Sequence, residues 1–309
     1  MSKIIIGIHG LKNKPSKKVL DNWWKQSISD GLEKFHKKKK FRFELVYWAN
    51  FNHKNPFDEK ILDEKDPNYI KCPYISFQKD IENHGFSDLR KKILNKLELG
   101  FDKILFQEKG FGGLELIEDF TIRKFFKDLD IYYHKNCIVY PELRALDAFR
   151  ERLAESLYKH RHKKIMLIGH SMGSIIAYDT LTQYVPNIKI DTFVTIGSPL
   201  GIPAIIKKIL REQGKEINST IKPKTPDNIK KAWYNFSDLN DKICVNYNLS
   251  DDYQENQIGI KPIDFIVKNN YRYKNETNPH KIYGYLRCPE ISEVIFEFLK
   301  FKFSFFNKF

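Results

Sequence analysis

Gly169-His170-Ser171-Met172-Gly173 lies between the apolar run Ile165-Met166-Leu167-Ile168 and the segment Ser174-Ile175-Ile176-Ala177-Tyr178. The first run reads as a buried strand and the second opens a buried helix. A G-x-S-x-G turn between them forces a serine onto a strained corner above the sheet. The flanking glycines let the backbone fold that tightly. A hydroxyl so placed can reach a base and attack a carbonyl. The plainer alternative is a serine that merely caps a helix N-terminus.

The nucleophile reading makes a demand on the rest of the chain: serine first, then Asp or Glu, then histidine. Of nine histidines, only His280 follows Ser171. It sits in the loop sequence Asn278-Pro279-His280 and is the one candidate base. The acid should lie in a loop at the carboxyl end of a strand. Asp191 opens a strand, Asp179 lies inside the helix after the serine, and Asp264 sits within the apolar run 263–267. The strand Ala232-Trp233-Tyr234-Asn235-Phe236 runs into Ser237-Asp238-Leu239-Asn240-Asp241-Lys242-Ile243, where Asp238 and Asp241 both qualify. Asp241 is preferred because apolar Ile243 can anchor the loop beside it. Asp238 would then be a turn residue bonding local amides, and it remains the alternative acid.

A carbonyl attacked by serine also needs two N–H donors for its developing negative charge. One is expected from Met172, directly after the nucleophile. The other is expected from the loop after an early strand. The chain opens Lys3-Ile4-Ile5-Ile6-Gly7-Ile8 and then His9-Gly10-Leu11. A glycine there lets the chain turn so that the Leu11 N–H faces the charge.

In these residues the chain resembles α/β-hydrolase-fold serine hydrolases of the lipase and esterase type. The likeness rests on Ile8-His9-Gly10-Leu11, Gly169 through Gly173, Gly197-Ser198-Pro199-Leu200-Gly201, Trp233 through Ile243, and Asn278-Pro279-His280. It implies one α/β-hydrolase domain over residues 1–309, with a mostly parallel sheet covered by helices on both faces. It implies Ser171 as nucleophile, Asp241 as acid, His280 as base, and the Leu11 and Met172 amides as the oxyanion hole. No metal or organic cofactor is implied. The His-Gly strand begins almost at residue 1, so a shortened sheet is expected, without the first two strands of the full fold. Residues 51–137 match no family motif and are expected to form a helical insertion, a cap or lid within the domain. The implied substrate is a small-molecule or lipid carboxylic ester. Thioesters, amides and acyl transfer to an alcohol would use the same side chains. A non-enzymatic binding protein on this fold is the rival class.

Composition sets the bounds. With 41 % apolar and 30 % charged residues over 309 positions, the chain can bury a substantial core. No run approaches the ~20 apolar residues that span a bilayer, and the opening run is too short for a signal peptide. Cys72, Cys137, Cys244 and Cys288 show no paired spacing, which argues against a disulfide framework and a thiolate zinc site. These features point to the cytoplasm. The net charge of +14 draws anionic partners. No nucleic-acid module accompanies it, so no nucleic acid is expected. Lys37 through Lys40 and His160-Arg161-His162 read as solvated segments. Phenylalanine interleaved with lysine over residues 301–309 can dock peripherally at an anionic membrane.

Periodicity gives the remaining elements. Leu20, Trp23, Trp24, Ile28, Leu32 and Phe35 mark a helix over 17–36, and residues 41–48 read as a second strand. Helices are expected near residues 86–97, 114–129, 142–158, 172–184, 203–212 and 289–300. Strands are expected at 164–168, 190–196, 232–236 and 263–267. This alternation argues for a parallel sheet with helices on both sides.

Overall fold

The apolar runs become the strands of one parallel sheet. The computed structural model describes residues 1–36, 39–76, 120–215, 221–244 and 246–300. Its strands are β1 (Lys3–Ile8), β2 (Phe43–Val46), β3 (Lys164–His170), β4 (Ile190–Ile196), β5 (Ile229–Ser237) and β6 (Pro262–Ile266). They lie in the order β2-β1-β3-β4-β5-β6, and each neighbouring pair is parallel.

The sheet divides two apolar cores. Ile4, Ile6 and Ile8 of β1 and Ile165 and Leu167 of β3 face one; Ile5, Met166 and Ile168 face the other. Burial on both faces is why these runs are continuously apolar rather than alternating. Helices α2 (Phe120–His134), α3 (Ala145–Lys159), α4 (Met172–Asp179) and α5 (Pro203–Glu212) contribute to the first core. Helices α1 (Lys17–Phe35), α7 (Ile282–Tyr285) and α8 (Pro289–Leu299) contribute to the second. A short α6 (Leu249–Asp252), a 3-10 turn at Ala49–Phe51 and the hairpin β7 (Arg272–Tyr273) with β8 (Glu276–Thr277) lie outside the sheet. Among the described residues no helix is long and apolar enough to cross a membrane.

Strand order positions the site. From β1 the chain steps outward to β2, then crosses back to place β3 on the other side of β1. The order reverses there, and such a switch point opens a crevice at the carboxyl ends of the two strands. The His9-Gly10-Leu11 and Ser171 segments both leave the sheet at that crevice.

Two expectations change on contact with the fold. The helix expected over 172–184 shifts to a wider π-turn at Thr180–Tyr184. The Thr180 and Thr182 hydroxyls donate to the Ile176 and Tyr178 carbonyls at 2.7 and 2.9 Å, a local competition that disturbs helix ends. His160 is not a solvated helix end. It is buried, and its Nε2 lies 2.8 Å from Glu44 Oε2. The expected helix near residues 86–97, the start of the one at 114–129, Lys37 and Lys38, and the 301–309 tail lie outside the described residues.

Glu44 ties β2 to the end of α3, and this tie makes stability depend on pH. Burial alone would raise its carboxyl pKa. Hydrogen bonds from Lys159, His160 and Ser156 outweigh burial and lower it from 4.5 to about 2. The carboxylate therefore stabilises the fold fully above pH 4.5, and the gain is lost as pH falls toward 2. Discounted for the carboxylate's partial exposure, the gain is about 1 kcal/mol. Urea titrations at several pH values should find Glu44→Gln less stable than wild type by that amount at pH 6, with the gap closing toward pH 2. A gap that stays constant with pH would contradict this.

Candidate active site

Ser171 stands at the junction of β3 and α4 with φ 55° and ψ −130°. A side chain at positive φ is strained by its own Cβ. Its backbone is held on both sides. The Ser171 N–H donates to Ile196 O at the end of β4, 2.9 Å away. Its carbonyl accepts from Ser174 N at 2.9 Å and from Ser174 Oγ at 2.6 Å. The close fit needs glycine at two neighbours. A Cβ on Gly173 would lie 2.4 Å from Ile8 O, and one on Gly10 would lie 2.6 Å from Ser171 Cβ. The first turn of α4 therefore rests directly on the end of β1.

Three loops then converge. Asp241 follows β5 and His280 follows the β7–β8 hairpin. His280 Nε2 lies 3.0 Å from Ser171 Oγ, and His280 Nδ1 lies 2.8 Å from Asp241 Oδ2. A carboxylate only accepts, so Nδ1 carries the imidazole proton. The Nε2 lone pair is left facing the serine hydroxyl, which donates to it. Asp241 is fully covered by protein, whereas His280 is half-buried.

Asp238 does not reach the imidazole. Its Oδ1 accepts from Asn240 N at 2.7 Å and its Oδ2 from Asn269 N at 2.6 Å. These bonds fasten the loop after β5 to the loop after β6. Burial raises the Asp238 carboxyl pKa and the nearby Asp241 charge adds to the rise, while the Asn240 and Asn269 amides oppose it. Leu11 and Met172 are both buried at the crevice. Among the described residues, no hydrogen bond from the Leu11 or Met172 amide to a protein acceptor is found.

Other residues in the site were not legible in the sequence. The buried Tyr285 hydroxyl accepts from Asp238 N at 2.9 Å and donates to Asp241 Oδ2 at 2.9 Å. The Cys244 thiol lies 3.4 Å from the same carboxylate oxygen, and Ile243 N donates to Asp241 Oδ1 at 2.9 Å. No local pattern reveals that a tyrosine five residues past His280 will point across to another loop. His170, the first variable residue of G-x-S-x-G, donates from Nε2 to the His280 carbonyl at 2.9 Å, and the two rings lie 4.8 Å apart. Burial and the neighbouring His280 hold the His170 pKa well below its usual value. A neutral His170 therefore anchors the loop that carries His280. Among the described residues, no three His, Cys, Asp or Glu side chains are grouped to hold a metal ion.

The Tyr285 hydroxyl serves two buried partners, and removing it leaves the Asp238 N–H without an acceptor. Tyr285→Phe should therefore lower stability by about 1–3 kcal/mol in urea unfolding. Unchanged stability would mean that water or a shifted loop replaces both bonds.

Residues 145–257 match the family model described as Lecithin:cholesterol acyltransferase. That stretch is rather more than a third of the chain. It holds Ser171 and Asp241 and ends before His280. No curated protein sequence matches the chain. The six-stranded parallel sheet with helices on both faces is an α/β-hydrolase fold. The chain is similar, over the matched stretch, to a family of lipid acyltransferases of that fold, and this similarity supports an enzyme of the lipase-like hydrolase kind.

Proposed function

We propose that this protein is a serine hydrolase acting on carboxylic esters, with lipid esters as the substrate class. The observation that carries the reading is the unbroken hydrogen-bonded chain from Ser171 Oγ through His280 to Asp241. In the proposed reaction, Ser171 Oγ bonds to the acyl carbon as its proton passes to His280 Nε2. The carbonyl π pair moves onto oxygen, where the Leu11 and Met172 amides receive it. Asp241 keeps the imidazole in the reactive tautomer and stabilises its protonated form. The intermediate collapses, the C–O bond to the alcohol breaks, and His280 returns the proton to the leaving oxygen. Water then adds to the acyl-enzyme by the same steps, freeing the acid and Ser171. The lipid preference draws on the family similarity alone.

Three further assignments belong to this proposal. Residues 51–137 act as a cap that shapes access to Ser171, which is only 1 % exposed. The Phe- and Lys-rich tail at 301–309 contacts anionic membrane surfaces. The protein works in the cytoplasm, at times peripheral to a membrane.

A fluorophosphonate probe tests the central assignment. It should label wild type at Ser171, read by peptide mass spectrometry, and fail with Ser171→Ala and His280→Ala. Asp241→Asn should lower kcat about 10⁴-fold, the size of effect expected when the imidazole takes the wrong tautomer. A folded wild-type protein that resists the probe, or an Asp241→Asn variant of normal kcat, would overturn the reading.

A further inference from the structure

Directly after β1 comes a buried histidine, His9, whose ring bonds two backbone groups. His9 Nε2 lies 3.1 Å from the Trp48 N–H, so this nitrogen accepts. Nδ1 therefore carries the proton and donates to the Gly10 carbonyl at 2.8 Å. Trp48 returns a second bond, from its Nε1–H to the His9 carbonyl at 2.9 Å. The two rings stack 4.8 Å apart at 18°, and the Trp48 ring rests on Phe149 of α3, 4.5 Å away. The ends of β1 and β2 and the face of α3 thus lock one imidazole in one orientation.

That orientation has a consequence one bond further on. In a trans peptide the C=O and the following N–H point in opposite directions. Holding Gly10 O against the His9 ring therefore turns the Leu11 N–H away from that ring. Gly10 itself is packed against Ser171, since a Cβ added to it would lie 3.1 Å from Ser171 Oγ. On the far side of Leu11, the Lys14 ammonium donates to the Leu11 carbonyl and, at 3.1 Å, to the Lys12 carbonyl. The peptide groups on both sides of Leu11 are fixed by side chains rather than by a sheet ladder.

We infer that His9 is a positioning residue: through the Gly10 carbonyl it sets the plane of the Gly10–Leu11 peptide, and so aims the Leu11 amide at the oxyanion formed when Ser171 attacks its ester. This rests on the ester-cleaving function proposed above. Only a neutral imidazole can donate at one edge and accept at the other. Burial, aided by the Lys14 charge, keeps the His9 pKa well below its ordinary value.

Two substitutions separate the two bonds. The amide nitrogen of His9→Asn can occupy the Nδ1 position and still donate to Gly10 O. The amide oxygen of His9→Gln can reach the Nε2 position and still accept from Trp48, but it leaves Gly10 O without its donor. We expect His9→Gln to lower kcat roughly 10- to 100-fold with KM little changed, a part of the loss seen when an oxyanion donor is removed outright. Its Ki for a trifluoromethyl ketone, which forms an oxyanion on the serine, should rise by a similar factor. His9→Asn should recover kcat to within a few-fold of wild type, even where its melting temperature is lower. Equal kcat in both variants and wild type would overturn the inference. So would kcat losses that follow the melting temperatures whichever bond is kept. If wild type itself neither cleaves esters nor takes the fluorophosphonate, the proposed function fails first, and that result is distinct from either of these.

Discussion

A serine held at positive φ is the constraint on which the rest of this structure depends. Such a backbone costs on the order of 1–3 kcal/mol and persists only where its surroundings leave no alternative. Here the surroundings are the middle of the sheet. β4 supplies the carbonyl that binds the Ser171 amide, α4 supplies the hydroxyl and amide that bind its carbonyl, and β1 presses against Gly173. Each element must be in register before the hydroxyl stands clear of the sheet. Strand order completes the arrangement, because the reversal between β1 and β3 brings Gly10 to the same spot.

Around that serine, groups that cannot switch roles dictate where the protons go. Asp241 only accepts, so His280 turns its N–H toward it and its lone pair toward Ser171. The Asp238 amide only donates, so the single Tyr285 proton is committed to Asp241. A backbone carbonyl only accepts, which fixes the tautomer of His170 against His280 and of His9 against Gly10. The site is polar at its centre, and Asp241 gathers bonds from His280, Tyr285 and the Ile243 amide, each with its donor role fixed. Buried networks of this sort favour a single arrangement when fully satisfied.

Much of this was legible in the sequence, for identifiable reasons. β1 and β3 are buried on both faces and leave nearly unbroken apolar runs, and all six strands of the sheet lie where the sequence leads one to expect a strand. The turn at Ser171 was legible because tight geometry demands small residues at fixed spacing. The choice of Asp241 over Asp238 turned on one neighbour, Ile243, which is buried at 5 % exposure and donates its amide to the Asp241 carboxylate. What could not be read depends on distance in sequence. Tyr285 meets Asp238 and Asp241 across more than forty residues, and Trp48 meets His9 across 39. The burial of His160 is hidden from the local sequence because its partner, Glu44, lies on a strand 116 positions away. A run of basic residues reveals composition but not what folds against it.

The central claim is that one crevice brings a nucleophile, its base and two amide donors onto a single reacting carbon. A crystal structure of the protein after reaction with a fluorophosphonate tests this most directly. The account predicts a covalent bond from Ser171 Oγ to phosphorus and a phosphonyl oxygen about 2.7–3.1 Å from both the Leu11 and Met172 nitrogens. An adduct on another residue, or a phosphonyl oxygen turned to solvent with both amides bonded elsewhere, would contradict it.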